Sequence, residues 1–349
     1  MKCERTTLET SDIKADHRQK PLSNERLYII ESVRKWGGDN TDAILDPKCK
    51  IFKSPTIEGL IGYRLASNSA VVIGDPVCAA KDKGPLATEF HTYCEKNKHQ
   101  VIYISASEEF AFWANQQICP LSIEWGEKLY LDPHNNPYNN KGSKGSLVRR
   151  KVKQAIREGT EILEYLPDDP KLEAAIEEVG VKWLASRDKP QVHISNVHLF
   201  NDRLGKRWIY AKRSEKIVGV VILNQLQAQE GWLMNHLMLT PEASNGTPEL
   251  LVFSALEILE KEGCHFVTFG ATPVPELRKI FGMGWISASL TRFIYRVANK
   301  VFHLDGLKMF WGKFQPESKR SYLLFSRKKI TPRTLGALMN ALNVRFFKQ

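Results

Sequence analysis

The stretch Gly231–Ala271 reads GWLMNHLMLTPEASNGTPELLVFSALEILEKEGCHFVTFGA. Gly231–Leu239 has the character of a strand, and a polar turn follows it. From Pro248 to Glu262 the residues Leu250, Leu251, Phe253, Leu256 and Leu259 recur at helical spacing. A short apolar run, His265–Phe269, then reads as a buried strand. Strand, turn, helix and strand in that order belong to a layered α/β fold. Thr247, or Asn245 just before it, is expected to cap the helix near Pro248. The open N–H groups at such a helix start suit a phosphate or carboxylate, so Asn245, Gly246 and Thr247 are candidate substrate-binding residues. Ordinary capping explains the same residues. His236, beside Asn235, is a candidate base or amine-positioning group, and a hydrogen-bonded core histidine fits it as well. Glu249 sits in the first helical turn, where the helix dipole favours a carboxylate in any case.

Outward from this stretch, Glu25–Lys35 carries a helical apolar period that Gly37-Gly38 ends. Strand-like runs follow at Cys49–Lys53, Gly59–Leu65 and Ala70–Ile73. Gly84–Lys96 and Glu108–Gln116 read as helices around a strand at Val101–Ile104. Ser122–Trp125 and Lys128–Leu131 read as two extended runs. In the second half, a basic helix at Leu147–Glu158 precedes a strand at Glu161–Glu164 and a helix at Lys171–Ser186. Strands at Trp208–Lys212 and Ile217–Leu223 lead into the opening stretch. Beyond it, short helices are expected at Pro275–Phe281 and Leu304–Trp311, a strand at Tyr322–Ser326, and an amphipathic basic helix at Leu335–Phe347. Each half thus reads as a helix, antiparallel strands and a strand–helix–strand unit. The expected class is α/β (α+β): two tandem acetyltransferase-type (GNAT-like) units, each a mixed sheet flanked by helices. The expected divisions are a polar lead-in at 1–24, a first unit at 25–133, a linker at 134–146, a second and catalytic unit at 147–330, and the C-terminal helix at 331–349. The usual coenzyme A fingerprint of that fold, Arg/Gln-x-x-Gly-x-Gly/Ala, is absent, and Asn245-Gly246-Thr247 stands in its place.

Composition narrows the function. The 349 residues are 42% hydrophobic and 26% charged, a globular profile. No apolar run approaches the roughly 20 residues of a membrane-spanning helix. The opening MKCERTTLETSDIKADHRQK lacks the apolar stretch of a secretory signal, so a cytoplasmic location is expected. Cys3, Cys49, Cys78, Cys94, Cys119 and Cys264 are scattered and read as reduced thiols, mostly small core residues. There is no P-loop, nucleophile elbow, Rossmann glycine pattern or metal triad, so neither a metal nor a resident cofactor is expected. The net charge of +11 favours a polyanionic partner: nucleic acid, an anionic membrane surface or a phosphate-rich cofactor.

Two regions concentrate that charge. Lys141, Lys144, Arg149, Arg150, Lys151, Lys153 and Arg157 fall in one Gly/Ser-containing loop and helix. Such a helix holds phosphates without reading sequence, so Lys144, Arg149, Arg150, Lys153 and Arg157 are candidate phosphate contacts, although a solvated helix face has the same pattern. In Gly306–Phe325, Lys308, Lys313, Lys319 and Arg320 alternate with Phe310, Trp311, Phe314 and Tyr322. Aromatics set between cations can stack on bases or cover an apolar chain.

Six segments, in order, carry a likeness to a known family: VVIGDPV (Val71–Val77), GEKLYLDP (Gly126–Pro133), KGSKGSLVRRKVKQAIREG (Lys141–Gly159), PEASNGTPELL (Pro241–Leu251), TFGATPVP (Thr268–Pro275) and GLKMFWGKFQPESKRSYL (Gly306–Leu323). Over roughly Glu58–Arg327 the chain resembles the C-terminal catalytic domain of bacterial phosphatidylglycerol lysyltransferases and alanyltransferases. The resemblance implies a tandem acetyltransferase-like fold with a tunnel that admits lipid from one side and the acceptor end of aminoacyl-tRNA from the other. The likeness does not take in the membrane-embedded flippase half of that family, so a stand-alone relative is the expectation. Two positions depart from the pattern. Asn235 and Met238 stand where the family has an acid and an arginine, and Ser318-Lys319-Arg320 replaces a Trp-x-Pro-Arg.

What the resemblance implies for function is aminoacyl transfer from aminoacyl-tRNA to a hydroxyl of a phosphatidylglycerol-like lipid, with peripheral association at the inner face of the membrane. An aminoacyl ester is already activated, so the reaction needs alignment, proton removal and oxyanion stabilisation, not ATP or a metal. Lys313 is expected to stabilise negative charge, with His236 or Glu249 handling the proton. Arg320 and the Lys144–Arg157 cluster are expected to grip phosphates, and Gly270 and Tyr322 of the matching segments to line the substrate site. DNA is not an expected partner. Three other readings stand beside this one: an acyl-coenzyme A-dependent N-acyltransferase, an aminoacyl-tRNA-dependent enzyme with a peptide acceptor, and a non-catalytic module that binds tRNA or membrane.

Overall fold

The computed structural model describes residues 23–167, 169–186, 199–302 and 305–342. Most of the expected lead-in, and the end of the C-terminal helix with Arg345, Phe346 and Lys348, lie outside the described residues.

In the first half, the Ser23 hydroxyl accepts from the Arg26 N–H and starts α1 (Asn24–Trp36). There follow β1 (Lys50–Phe52), β2 (Gly59–Ala66), β3 (Ser69–Ile73) and β4 (Val77–Cys78). Ser67 and Asn68 both take positive φ, so a two-residue turn joins β2 to β3. Next come α2 (Lys83–Lys96), β5 (Gln100–Ala106), α3 (Glu108–Gln117) and β6 (Leu121–Leu131). Ser107 caps α3, and its own N–H and hydroxyl donate to the Asp75 carboxylate of the Gly-Asp-Pro turn.

The second half opens with α4 (Ser143–Arg157), β7 (Thr160–Glu164) and α5 (Pro170–Ala185). It continues through β8 (Lys206–Arg213), β9 (Lys216–Leu226), β10 (Gly231–Leu239), α6 (Thr247–Lys261) and β11 (Val267–Pro273). It closes with β12 (Ile280–Phe281), α7 (Trp285–Phe302), α8 (Asp305–Trp311), β13 (Glu317–Phe325) and α9 (Pro332–Ala341).

Among the described residues one sheet runs β1-β2-β3-β5-β13-β6-β11-β10-β9-β8-β7, with β4 beside β2 and β12 beside β6. The two halves follow the same plan. Antiparallel β1–β2–β3 ends in the parallel pair β3–β5, joined through α2. Antiparallel β7–β8–β9–β10 ends in the parallel pair β10–β11, joined through α6. A parallel pair needs such a crossover, which is why each half contains a long helix at that point. This is the expected tandem acetyltransferase-like architecture. The halves then exchange strands. β6, which ends the first, pairs with β11 of the second, and β13, the last strand, pairs with β5 of the first. β6 and β13 pair with each other from Glu317↔Tyr130 to Phe325↔Leu121.

Several local expectations change. The two runs expected around Gly126 are one strand, because β11 and β13 hold β6 along both edges. The basic helix starts at Ser143, inside the stretch expected to be a linker. No helix forms at Pro275–Phe281; bends lead into β12, which is fastened to β6. The 18-residue helix α7 stands where no element is expected, and most of its large apolar residues face solvent. α6 begins at Thr247 with Gly246 as its cap residue, and neither Asn245 nor Thr247 caps it. The Asn245 side-chain amide oxygen accepts instead from Lys151 Nζ, and the Thr247 hydroxyl pairs with that of Ser244.

Apolar clusters line both faces of the sheet. α4 and α6 cover β8–β11 on one side, where Phe269 stacks on Trp311 with centroids 4.1 Å apart. α2 and α3 cover β2, β3 and β5. α9 packs through Ala337, Leu338 and Ala341 on the opposite face of β3, β5 and β6. Cys78, Cys94, Cys119 and Cys264 are buried, and burial pushes the Cys78 and Cys94 thiols up to about 12, as expected of core cysteines.

Leu324, fully buried on exchanged strand β13, tests that seam. Leu324→Ala should cost about 2–5 kcal/mol of unfolding free energy, read from the denaturant midpoint at unchanged slope. His91 of α2 stacks on Tyr103, and burial lowers its pKa to about 4. Below the ordinary histidine value the unfolded chain binds a proton that the native His91 refuses. Its contribution is therefore intact above pH 6.5, declines as pH falls towards about 4, and levels off below that. His91→Phe should flatten this part of the acid stability profile.

Candidate active site

The parallel pairing of β10 with β11 covers only Trp232↔Val267 and Leu233↔Thr268. Beyond it β10 stays with β9, and β11 stays with β6, so the strands part in a wedge. β10 has an irregular register between Met234 and His236, at Asn235. β11 has another between Thr268 and Gly270, and Gly270 takes a φ of 79°. A Cβ placed on Gly270 would lie 3.7 Å from the Asp39 carbonyl oxygen and 3.9 Å from Leu233. The segment after α1 therefore lies against both strands of the wedge.

That segment supplies carboxylates. Asp42 accepts from Arg34 Nη1 at 2.6 Å and from the Asn235 amide at 3.1 Å. Asp39 accepts from Lys128 Nζ at 2.8 Å. Burial opposes ionisation of Asp42, but Arg34 and Lys206 outweigh it and hold the carboxyl below its usual range. Burial likewise lowers Lys206, aided by Arg34 and opposed by Asp42. His236 faces the same groups. Burial lowers its pKa to about 4, against the pull of Asp42 and reinforced by Lys206, so the ring is neutral near pH 7. Arg34 Nη2, Asp39 Oδ2, Asn40 Nδ2 and both amide atoms of Asn224 are buried without a hydrogen-bond partner. The cluster thus holds polar capacity that a polar ligand can use.

A second cluster joins two expected catalytic residues. Lys313, in a 3-10 turn after α8, donates to Glu249 Oε1 at 2.6 Å. Glu249 is buried in the first turn of α6, and the Lys313 ammonium lies 4.8 Å from the Phe310 ring centroid. No hydrogen bond or ion pair connects this pair to His236 among the described residues. The Asn245-Gly246-Thr247 turn is tied to α4. A Cβ on Gly246 would fall 2.2 Å from the Lys151 carbonyl oxygen, and φ there is 103°, so only glycine fits. The Thr247 N–H already donates to Ser244.

A third cluster was not foreseen. Glu124 and Glu127 are buried on β6, where Glu127 neighbours Arg320 and Thr272 in the ladder. Glu127 accepts from Lys308 at 2.7 Å and from Arg278. Burial opposes its ionisation, and these two cations hold its carboxyl below the usual range. Arg320 and Tyr322 both donate to Glu108 of α3, at 3.2 and 3.3 Å. The clue in the sequence is the pair of acids, Glu124 and Glu127, set among the apolar residues of β6.

On α4, Arg149 is structural: its guanidinium donates to the Tyr138 and Asn140 carbonyls. Arg150, Lys153 and Arg157 are exposed on one helical face and form no ion pair among the described residues. With Ser146, Arg149 and Ile156 they line an open cleft of about 550 Å³. Lys144 is exposed near the helix start.

Known proteins share this fold. The family described as Phosphatidylglycerol lysyltransferase, C-terminal, matches residues 41–325. The phosphatidylglycerol lysyltransferase of Staphylococcus haemolyticus (strain JCSC1435) is 22% identical over 323 residues, covering 88% of this chain and 36% of its own length. One from Staphylococcus epidermidis (strain ATCC 12228 / FDA PCI 1200) is 19% identical over 304 residues, covering 84% and 35%. The chain thus spans about a third of the length of the curated relatives it matches. Among solved structures, L-PGS from Bacillus licheniformis superposes with a TM-score of 0.73 at 17% identity, covering 93% of this chain and 98% of that one. The C-terminal domain of a putative lysylphosphatidylglycerol synthetase from Agrobacterium fabrum gives 0.73 at 16%, covering 92% and 96%. These structures establish the fold, and the family match over residues 41–325 establishes descent: the chain belongs to the phosphatidylglycerol lysyltransferase C-terminal family.

Proposed function

We propose that this protein is an aminoacyltransferase that moves an aminoacyl group from aminoacyl-tRNA to a hydroxyl of a membrane phospholipid. The family supports transfer to a lipid. The observation that carries the fuller reading is that one chain presents two unlike surfaces. One is the unpaired cationic stripe of α4, suited to a nucleic-acid backbone. The other is α7, which turns its apolar face outward. Trp285 is 80% exposed, and Ile286, Leu290, Phe293, Ile294 and Val297 extend the same face. Exposed Arg296 and Lys300 border it, and Tyr295 anchors the opposite side to the Val274 carbonyl. An outward apolar face with a cationic margin suits an anionic lipid surface, so the protein would sit peripherally on the membrane. No helix among the described residues is long and apolar enough to cross one.

In this reading the lipid hydroxyl oxygen attacks the ester carbonyl, and the terminal ribose oxygen of the tRNA departs. Neutral His236 receives the hydroxyl proton and passes it to that leaving oxygen. Its low proton affinity weakens the first transfer and eases the second. Lys313, its charge fixed in place by Glu249, faces the tetrahedral oxyanion or the tRNA terminus. Asn235, Gly270 and the Asp39–Asp42 segment surround the aminoacyl group. Arg320 and Tyr322 bind on the side of β13, and Arg278 and Lys308 meet the lipid phosphate. No resident cofactor takes part. A coenzyme A thioester is the weaker donor, because Lys151 and Ser244 already cover the start of α6, where a pyrophosphate needs bare amides.

The test is incubation with radiolabelled aminoacyl-tRNAs and anionic phospholipid vesicles, followed by organic extraction. Label is expected in the lipid phase; its absence with folded protein and charged tRNA would remove the lipid reading. Lys313→Ala should lower kcat by about tenfold or more, and full activity in that variant would refute its role. Exchanging Arg150, Lys153 and Arg157 for alanine should weaken tRNA binding and reduce the salt slope by about one unit per cation removed. Leu290→Glu with Phe293→Glu should abolish co-sedimentation with anionic vesicles while tRNA binding persists.

A further inference from the structure

We propose that Asp132, His134 and His265 form a surface site for a zinc-class divalent cation. Asp132 and His134 are neighbours after β6, and His265 joins them from far along the chain, just before β11. The β6–β11 ladder pairs Leu131 with Val267, so the segments just outside that pair lie side by side. Asp132 follows β6 and His265 precedes β11. Asp132 Oδ1 also accepts the His134 N–H at 3.0 Å and so caps the 3-10 turn Pro133–Asn135. This cap turns the His134 ring back over the carboxylate.

The donor atoms converge. His134 Nδ1 lies 3.0 Å from Asp132 Oδ1, and His265 Nδ1 lies 3.3 Å from Asp132 Oδ2. All three ligand atoms fall within 4.8 Å of one another. A tetrahedral cation with bonds of about 2.0–2.1 Å sets its ligands about 3.3 Å apart, so small ring rotations complete the geometry. The two imidazoles stack with centroids 4.2 Å apart and planes 13° from parallel. An imidazole nitrogen is a common zinc ligand, and each ring brings one to the Asp132 carboxylate. Two imidazoles and one carboxylate are borderline donors, which favour zinc, nickel or copper over calcium or magnesium. The His134 and His265 side chains are 39% and 72% exposed, so a cation has access and water can take the fourth position. A bound cation would clamp the end of β6 to the approach to β11.

The experiment uses the full chain stripped with chelator and titrated with Zn2+ by calorimetry, with Co2+ visible absorption reporting the geometry. One Zn2+ should bind with a Kd of about 10 μM or tighter. The double variant His134→Ala/His265→Ala should bind at least about tenfold more weakly. Asp132→Asn, which keeps an oxygen to cap the turn, should also bind more weakly. Zn2+ should raise the Tm of the parent chain and leave that of the double variant unchanged. Circular dichroism of the metal-free variants checks that the fold survives. Equal zinc affinity in parent and double variant, or no binding to the parent in this range, would overturn the proposal and leave a hydrogen-bonded surface cluster.

Discussion

The antiparallel pairing of β6 with β13 is the constraint on which the remaining structure rests. Each half builds its own antiparallel strands and its own helix-bridged parallel pair, and neither completes its sheet. The first half lends β6 to the second and receives β13 in return. Unpaired backbone groups along β5 and β11 would be costly, and the exchange satisfies both edges at once. It also explains why the candidate site is shared. Lys128, next to β11, reaches back to Asp39, while Glu127 on the opposite face of β6 meets Arg278 and Lys308.

The excess positive charge is distributed by a simple rule. Glu249 and Glu127 lie inside, and each pairs with cations that still reach solvent. Removing a carboxylate from water is expensive, so such pairs are weak evidence for stability. They do fix cationic groups in place. Lys313 and Lys308 are long, flexible side chains, and a buried acid makes each a positioned charge. By contrast, the exposed Arg150, Lys153 and Arg157 of α4 have no acid to hold them among the described residues. They suit the sequence-independent attraction of a polyanion, which requires charge density more than exact geometry.

α7 is an amphipathic helix turned inside out. Its inner side is short of apolar residues and is fastened by polar contacts: Tyr295 to Val274, Asn299 to Pro275 and Arg292 to Arg278. Its large apolar residues are left in solvent. A helix stabilised by burying its stripe would face the other way, so an external apolar partner is the consistent explanation.

Elements with a clear period or a strong breaker are legible along the chain alone. The strand–helix–strand unit at Gly231–Ala271, the helix near Gly84–Lys96 and the basic α4 all follow from spacing that only one secondary structure satisfies. The six ordered segments also carried the family, and the sequence singled out Lys313 and Glu249, though without showing that they pair. What it did not determine depends on contacts between distant residues. That β13 belongs beside β5, that Asp42 reaches Asn235, and that His265 joins Asp132 and His134 are set by register and close packing, which local sequence does not encode. The outward direction of the apolar face of α7 is likewise a tertiary matter, because an apolar period announces a helix but does not say which way it faces. Gly246 shows the division at one residue: the turn was legible, but the carbonyl of Lys151 that forbids any side chain there comes from a helix far away in the chain.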